Sequence, residues 1–453
     1  MAELKPPAAD STAPFPKPTI AWSVVALLVL GSLVAFVDRQ VVAIVVGPMQ
    51  QDLGVGDTQI GWLYGVFAVF YALAAVPIAW LADRHHRLRL IAIGMFIWSL
   101  MTIACGLTKQ FWTVLLARIG VGVGEATITP ATTSLLGDYF PREKIPLAMS
   151  VYQTGAIIGS GLAFIIGGLV LQAVEGAEPL VVPVFGTLAP WQQTFVYVGL
   201  PGFALSALFF LLREPKRRTI TTTGASTAGF AELRAFYRSH RTTLMLHHFG
   251  FLSLVLMGYA FVFWSITFFV RVHGVPAAEA SQTFGWIFLL VGPLGPVATA
   301  LVARKLSAAG RKDANILCGM LAGLIAIPAI VAVQFAPNAT VAFALYAPAL
   351  FFVNAPFGIA SGALPVIAPA PLRAQVAAVY MLIGSVGMML GPPLAGFFNE
   401  VVFPEADGVR YSMVTLTCCF GILGTLLLNF GRKHYARSLA AADQLSEESA
   451  HEH

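Results

Sequence analysis

A chain of 453 residues that is 57% hydrophobic and only 11% charged, with a mean hydropathy of +0.78, lies far from the soluble average of about 25% charged residues. This composition excludes a soluble domain and puts the chain in a bilayer. The formal net charge of +5 invites a nucleic-acid partner, but the basic residues stand where membrane topology asks for them.

In chain order, residues 1–19 are rich in Pro and Ala, lack the layout of a cleavable signal peptide, and predict a disordered tail. Apolar runs able to cross about 30 Å of hydrocarbon then follow one another. Six make a first half, at 20–47, 58–82, 90–108, 111–136, 145–173 and 191–212. Six more make a second, at 243–270, 281–303, 314–335, 338–363, 372–399 and 411–430, before a tail at 431–453. Halves of nearly equal length suggest an internal duplication. The linker 213–242 is basic and Thr-rich, with Leu233, Phe236 and Tyr237 on one side of a short amphipathic pattern. It fits either a helix on the inner leaflet against anionic headgroups or a flexible tether. With the N-terminus inside, 22 of the 27 Lys and Arg residues are inner; Lys109, Arg271 and Arg410 are outer, and Arg39 and Arg118 lie within segments. This positive-inside asymmetry predicts that both termini are cytoplasmic.

Four charges within apolar segments stand out: Asp38 and Arg39 in the first, Arg118 and Glu125 in the fourth. A charge near the bilayer centre costs about 2.5–3.5 kcal/mol on insertion scales, so such residues pair with one another or serve function. Positions 118 and 125 are two turns apart, within about 20° around the helix and about 10 Å apart along it, so they can face one cavity without forming a tight pair. From the outer end of its segment Asp38 lies at about 13 Å, between Arg118 at about 10 Å and Glu125 at about 21 Å, which makes it their expected partner. Arg39 points about 100° away from Asp38 and is expected to serve a different neighbour.

The fifth segment carries Gly155, Gly159, Gly161, Gly167 and Gly168, a spacing that lets helices approach closely and bend. Apart from Arg373 at the inner edge of 372–399, no charge lies within a segment of the second half. His247 and His248, near the inner end of the seventh, are expected to meet water or headgroups, with pH sensing as the alternative. Breakers recur at Gly292-Pro293-Leu294-Gly295-Pro296, Asn354-Ala355-Pro356 and Gly391-Pro392-Pro393. Cys105, Cys318, Cys418 and Cys419 have neither metal nor redox spacing and read as packing residues.

Twelve segments in two sixes resemble the major facilitator superfamily, an all-α membrane fold of two six-helix bundles that rock around a central cavity to give alternating access. After the second segment, AWLADRHHRLR is similar to that family's loop motif through Asp83, Arg84 and Arg87, with Ala79 and His86 where the motif has glycine and Leu88 where it usually has a base. The resemblance implies a cytoplasmic gate in which Asp83 meets the N-terminus of the eleventh helix and the loop's cations bind nearby acids. Asp138 is a further acid for that cluster. The bland alternative is that these charges are only stop-transfer signals. Arg118, Gly122, Gly124 and Ala126 follow the family's other N-half motif, with Glu125 where a small residue is usual. The fifth segment is similar to the family's glycine motif but lacks its Gly-Pro pair. Asp38-Arg39, the run from Gly122 to Ala126, and Gly159-Ser160-Gly161-Leu162 resemble the spinster branch, whose animal members move sphingolipid phosphates and lysophospholipids.

The resemblance implies a monomeric, multi-pass inner-membrane carrier of an amphiphilic lysolipid or sphingolipid-like solute, surrounded by membrane lipids. Proton linkage would run through Asp38 or Glu125, with Arg39 and Arg118 as substrate or charge partners. A proton-linked carrier of a small organic anion such as a sugar acid, a drug exporter and a channel are the alternatives. No zinc or Gly-x-Ser-x-Gly pattern points to an enzyme, and no metal or cofactor is expected.

Overall fold

The computed structural model describes residues 15–141, 143–178, 180–217 and 229–451. Residues 1–14 of the tail expected at 1–19, the linker portion 218–228 and residues 452 and 453 lie outside the described residues, and the first helix begins at Pro18, within that expected tail. Among the described residues, twelve helical spans are long and apolar enough to cross a membrane. The first six are Pro18–Ile44, Asp57–Ala82, Arg87–Gly106, Phe111–Tyr139, Ile145–Glu175 and Pro190–Leu211. The second six are Arg241–Phe263, Ala277–Ala308, Ala314–Gln334, Ala339–Ile367, Ala370–Val402 and Gly408–Gln444. A small hairpin, Val181–Val182 against Gly186–Thr187, joins the fifth and sixth.

Several spans are broken where the sequence reading drew one helix. The first helix stops at Ile44 and resumes at Val46, the fourth is interrupted after Glu125, and the tenth after Asn354. A proline follows each stop: Pro48 four residues after Ile44, Pro130 five after Glu125 and Pro356 two after Asn354. Pro48, Pro130 and Pro356 have no N–H for the carbonyls of Ile44, Ala126 and Phe352. The seventh is interrupted at Trp264, where Ser265 Oγ bonds back to the Phe261 carbonyl at 2.7 Å, a contact that bends helices. Breaks in the first and seventh spans, and in the fourth and tenth, fall at corresponding positions of the two halves, as an internal duplication would place them. The eighth parts at Gly292-Pro293, as its sequence suggests. The eleventh instead runs through Pro392-Pro393 to Phe397 before a π turn.

By contacts the chain forms two compact units. The first holds the spans up to the sixth together with Gly274–Leu289, so the leading part of the eighth span, assigned by sequence to the second half, packs with the first unit. Glycine explains this. A Cβ on Gly161 would stand 2.6 Å from the Leu289 nitrogen, and one on Gly285 2.7 Å from the Ile165 nitrogen. Ser281 Oγ then reaches the Phe164 carbonyl at 2.7 Å, and the Phe164 and Phe284 rings meet edge to face at 4.7 Å. Gly155 and Gly159 belong to another face of the fifth span and admit Val29, Leu33 and Phe36 of the first.

In the second unit the linker forms a helix, Phe230–Ser239, whose Tyr237 packs on His248, one of the two histidines expected to be wet. His247 and His248 are buried. His247 Nε2 lies 3.0 Å from the Ala360 carbonyl, and His248 Nε2 lies 3.1 Å from the Tyr237 hydroxyl, which burial pushes up to about 12. The expected tail is helical as well. The last helix runs on to His451 and is pinned by Tyr435 Oη donating to the Ala363 carbonyl at 3.0 Å, Arg432 to Asp313 at 2.7 Å and Lys312 to Asp443 at 3.0 Å. Cys105 and Cys318 are buried, whereas Cys419 is exposed on a π turn, Thr417–Gly421, and is not packed as expected.

Candidate functional site

The charges of the first and fourth spans meet inside the first unit. Asp38 and Arg118 are fully buried and Glu125 is 2% exposed. Arg39 Nε donates to Glu125 Oε2 at 2.7 Å. Its guanidinium carbon also lies 5.0, 5.1 and 4.9 Å from the ring centres of Phe36, Phe67 and Tyr71. The cation is therefore held by one acid and an aromatic collar, each ring contributing about 0.5–1 kcal/mol and more when desolvated. Arg118 acts differently. Its Nη1 donates to the backbone carbonyl of Asp38 at 3.0 Å and its Nε to that of Leu63 at 3.4 Å, and it shares the Phe67 ring with Arg39 at 5.2 Å.

The expected pairing is thus corrected. Asp38 does not bridge Arg118 and Glu125 through its carboxylate; Arg39 takes Glu125, and Arg118 takes the Asp38 main chain. Successive helical residues diverge by about 100°, and it is the long Arg39 side chain that is aimed at the fourth span. The Asp38 side chain turns toward the third, beside Thr102. Apart from the Thr102 hydroxyl beside it, no donor reaches its oxygens among the described residues, and Glu125 Oε1 likewise meets none. A buried carboxylate in that condition is costly, and a bound proton or a ligand's donor is what relieves it.

Local sequence sets this geometry. Gly122 and Gly124 lie on nearly opposite faces of the fourth span. A Cβ on Gly122 would stand 2.7 Å from the Phe67 carbonyl of the second span, and one on Gly124 would stand 2.8 Å from Trp98 Cβ and 2.9 Å from the Gly94 carbonyl of the third. The two glycines therefore let one helix touch two neighbours at backbone distance. Immediately after Glu125 the helix breaks, with the Thr127 nitrogen and hydroxyl both donating to the Gly124 carbonyl.

A second cluster lies where the second span hands over to the third. Arg87, 1% exposed, donates to Asp138 Oδ2 at 2.5 Å and to Glu214 Oε1 at 2.6 Å. It also meets the Ser134 carbonyl and hydroxyl. One guanidinium thus joins the ends of the third, fourth and sixth spans. Arg84 lies over the Trp80 ring at 4.0 Å and takes no part in that junction. Asp83 ends the helix of the second span. Its carbonyl, with those of Ala82 and His85, accepts from Arg217, which caps the helix end. Partial burial, then the nearby Arg87 cation, holds the Arg217 guanidinium below its usual range. Glu214 and Arg217 went unread in the sequence, although an Glu-Pro-Lys-Arg run directly after an apolar segment is a visible signal. Thr102 was passed over because a lone hydroxyl in an apolar run carries none.

Comparison with known proteins agrees with this architecture. The profile of the Major Facilitator Superfamily matches residues 28–392. Protein spinster homolog 1 of Bos taurus is 28% identical over 322 residues, 67% of this chain and 58% of the relative, so the chain spans less than two thirds of that protein's length. The sphingosine-1-phosphate transporter SPNS2 of Mus musculus is 36% identical over 150 residues, 33% of this chain and 27% of that one. Among solved structures, a bacterial homolog of the human lysosomal transporter spinster, inward-facing and unoccupied, superposes with a TM-score of 0.81 at 26% identity, covering 93% of this chain and 99% of the other.

Proposed function

Because the chain belongs to the Major Facilitator Superfamily and is a multi-pass membrane transporter, we propose that it carries an amphiphilic solute with an anionic head, of the lysolipid or sphingolipid-phosphate type, linked to protons. The observation that carries this reading is the Arg39–Glu125 pair beside the buried Asp38 carboxylate. A phosphate head takes Arg39 bidentately in preference to the single contact that Arg39 now makes. Glu125 then loses its cation, and a proton is the species that neutralises it. Solute anion and proton are therefore bound together, which is symport. The likeness to a sphingosine-1-phosphate transporter supports an anionic head, and the broken spans support alternating access. The positive-inside pattern supports cytoplasmic termini. On that reading the Arg87–Asp138–Glu214 junction is a cytoplasmic gate, with Asp83 and Arg84 on the loop beside it.

The test is uptake of a fluorescent lysophospholipid phosphate by proteoliposomes under an imposed pH gradient. Uptake follows the inward proton gradient in the parent protein and loses that dependence in Glu125→Gln and Asp38→Asn. Unchanged gradient dependence in both variants refutes the proton linkage, and failure of any lysolipid to bind or compete refutes the solute class.

A further inference from the structure

The Arg39–Glu125 pair is closed on one side and open on the other. Arg39 Nε is the nitrogen that bonds Glu125, and the two Nη nitrogens make no hydrogen bond among the described residues. The Arg39 side chain is 18% exposed whereas that of Glu125 is fully buried, so the open side presents the cation and not the acid. Two hydroxyls stand beside it. The Tyr71 ring lies against the guanidinium at 4.9 Å and near the Phe67 ring at 5.9 Å, and its hydroxyl meets Thr129 Oγ1 at 3.4 Å in an exposed contact. Hydroxyl pairs usually close to about 2.7–2.8 Å, so this is a loose contact that either group can leave for a better acceptor. The backbone places both. Gly122 admits the second span so closely that a Cβ there would stand 3.2 Å from the Tyr71 nitrogen. The fourth span breaks after Glu125 and resumes at Ile128, which leaves Thr129 exposed two residues after the buried Thr127.

We propose that Tyr71 and Thr129, with Arg39, form a site for a phosphomonoester head and set its preference over a zwitterionic phosphodiester. This rests on the lysolipid reading above and narrows its head group. Every group on this side can donate: the Arg39 Nη nitrogens meet two acceptor oxygens as a fork, and the hydroxyls meet a third. A phosphomonoester has three free oxygens, all strong acceptors. A phosphodiester spends one of them on its second ester, and a choline or ethanolamine group brings a cation to the side where a guanidinium already stands and the Glu125 acid is buried. Repulsion of that kind is how a site rejects the wrong partner. The Tyr71 ring, which could otherwise hold an ammonium group, is taken by Arg39.

The test titrates the full chain in detergent with two lysolipids of one acyl chain, lysophosphatidate and lysophosphatidylcholine, at a pH where the monoester carries two charges, and reads binding by thermophoresis. The parent binds lysophosphatidate more tightly. Tyr71→Phe keeps the ring on Arg39 and removes the hydroxyl, and Thr129→Val keeps the shape of its side chain. Each weakens lysophosphatidate by about tenfold to a hundredfold, the worth of one hydrogen bond to a charged group, and leaves lysophosphatidylcholine unmoved; Thr129→Ser restores the parent affinity. A parent that binds both lysolipids alike, or a preference unchanged in both Tyr71→Phe and Thr129→Val, overturns the proposal while the lysolipid reading stands. Competition by glycerophosphate as strong as by lysophosphatidate refutes the lipid class and keeps the phosphomonoester head. If the parent binds none of the three, the reading above falls and this one with it.

Discussion

Arg87 offers the most quantitative check on whether the loop charges hold the fold together or only set topology. Arg87→Ala takes the guanidinium away from two carboxylates, Asp138 with a fully buried side chain and Glu214 with one 6% exposed. Two charge-assisted hydrogen bonds are worth about 1.5–3 kcal/mol each, and removing one partner of a buried pair costs about 3–5 kcal/mol. Glu214 keeps His86 at 3.1 Å and the Leu88 N–H at 3.3 Å, so the lower part of that range, about 3–4 kcal/mol, applies. At about 2–4 °C per kcal/mol for a domain of this size, thermal unfolding in detergent moves down by roughly 6–16 °C. Arg87→Lys, a point charge without the fork, falls between. The sharper comparison adds Asp138→Asn and Glu214→Gln to Arg87→Ala: with no charge left unpaired, the triple variant unfolds at a higher temperature than Arg87→Ala alone. Unfolding of Arg87→Ala within about 2 °C of the parent, under one kcal/mol on that scale, would refute the junction and return the residue to a topological signal.

Three further outcomes follow from the same geometry. A double-mutant cycle on Arg39→Ala and Glu125→Ala, read by thermal unfolding, gives a coupling of about 1.5–3 kcal/mol; additive effects would mean that the ion pair contributes nothing. Gly124→Ala forces the fourth span off the third, since the new methyl meets a backbone carbonyl at 2.9 Å, and lowers stability by about 1–3 kcal/mol. Hydrogen bonds from Arg311 and Arg432 outweigh the burial that would raise the Asp313 carboxyl and hold it below its ordinary range. The folded state therefore favours the ionised form, and the contribution is present above the ordinary carboxylate pKa and lost as pH falls through the depressed one. Asp313→Asn accordingly lowers the unfolding temperature at neutral pH and converges with the parent in acid; a constant offset across pH would contradict this.

Most of the fold was legible because lipid imposes a strong rule: backbone polar groups must be satisfied within each span, so apolar run length alone locates the helices. The four intramembrane charges were legible for the same energetic reason. Their partners were not. Depth along an axis favoured Asp38 as the bridging acid, but azimuth and side-chain reach decide contacts, and these gave Glu125 to Arg39. The breaks after Glu125 and Asn354 were written in Pro130 and Pro356, whereas the one at Trp264 depends on a serine back-bond that sequence alone does not reveal. His247 and His248 were expected to be wet because they stand near the inner end of a helix, where water and headgroups are the usual neighbours; Tyr237 and Tyr380 close over them instead. The attachment of Gly274–Leu289 to the first unit could not be read either, since it depends on which of two glycine faces of the fifth span is occupied.

The last span has a practical consequence. Its 37 residues from Gly408 to Gln444 make a rod of about 55 Å at 1.5 Å per residue, against about 30 Å of hydrocarbon. With Arg432, Tyr435 and Asp443 fastened to their own bundle, the protruding portion is a rigid mast. A globular tag fused in helical register to it would report the orientation of that bundle in single-particle images, and a spin label on it would show how firmly the helix is held.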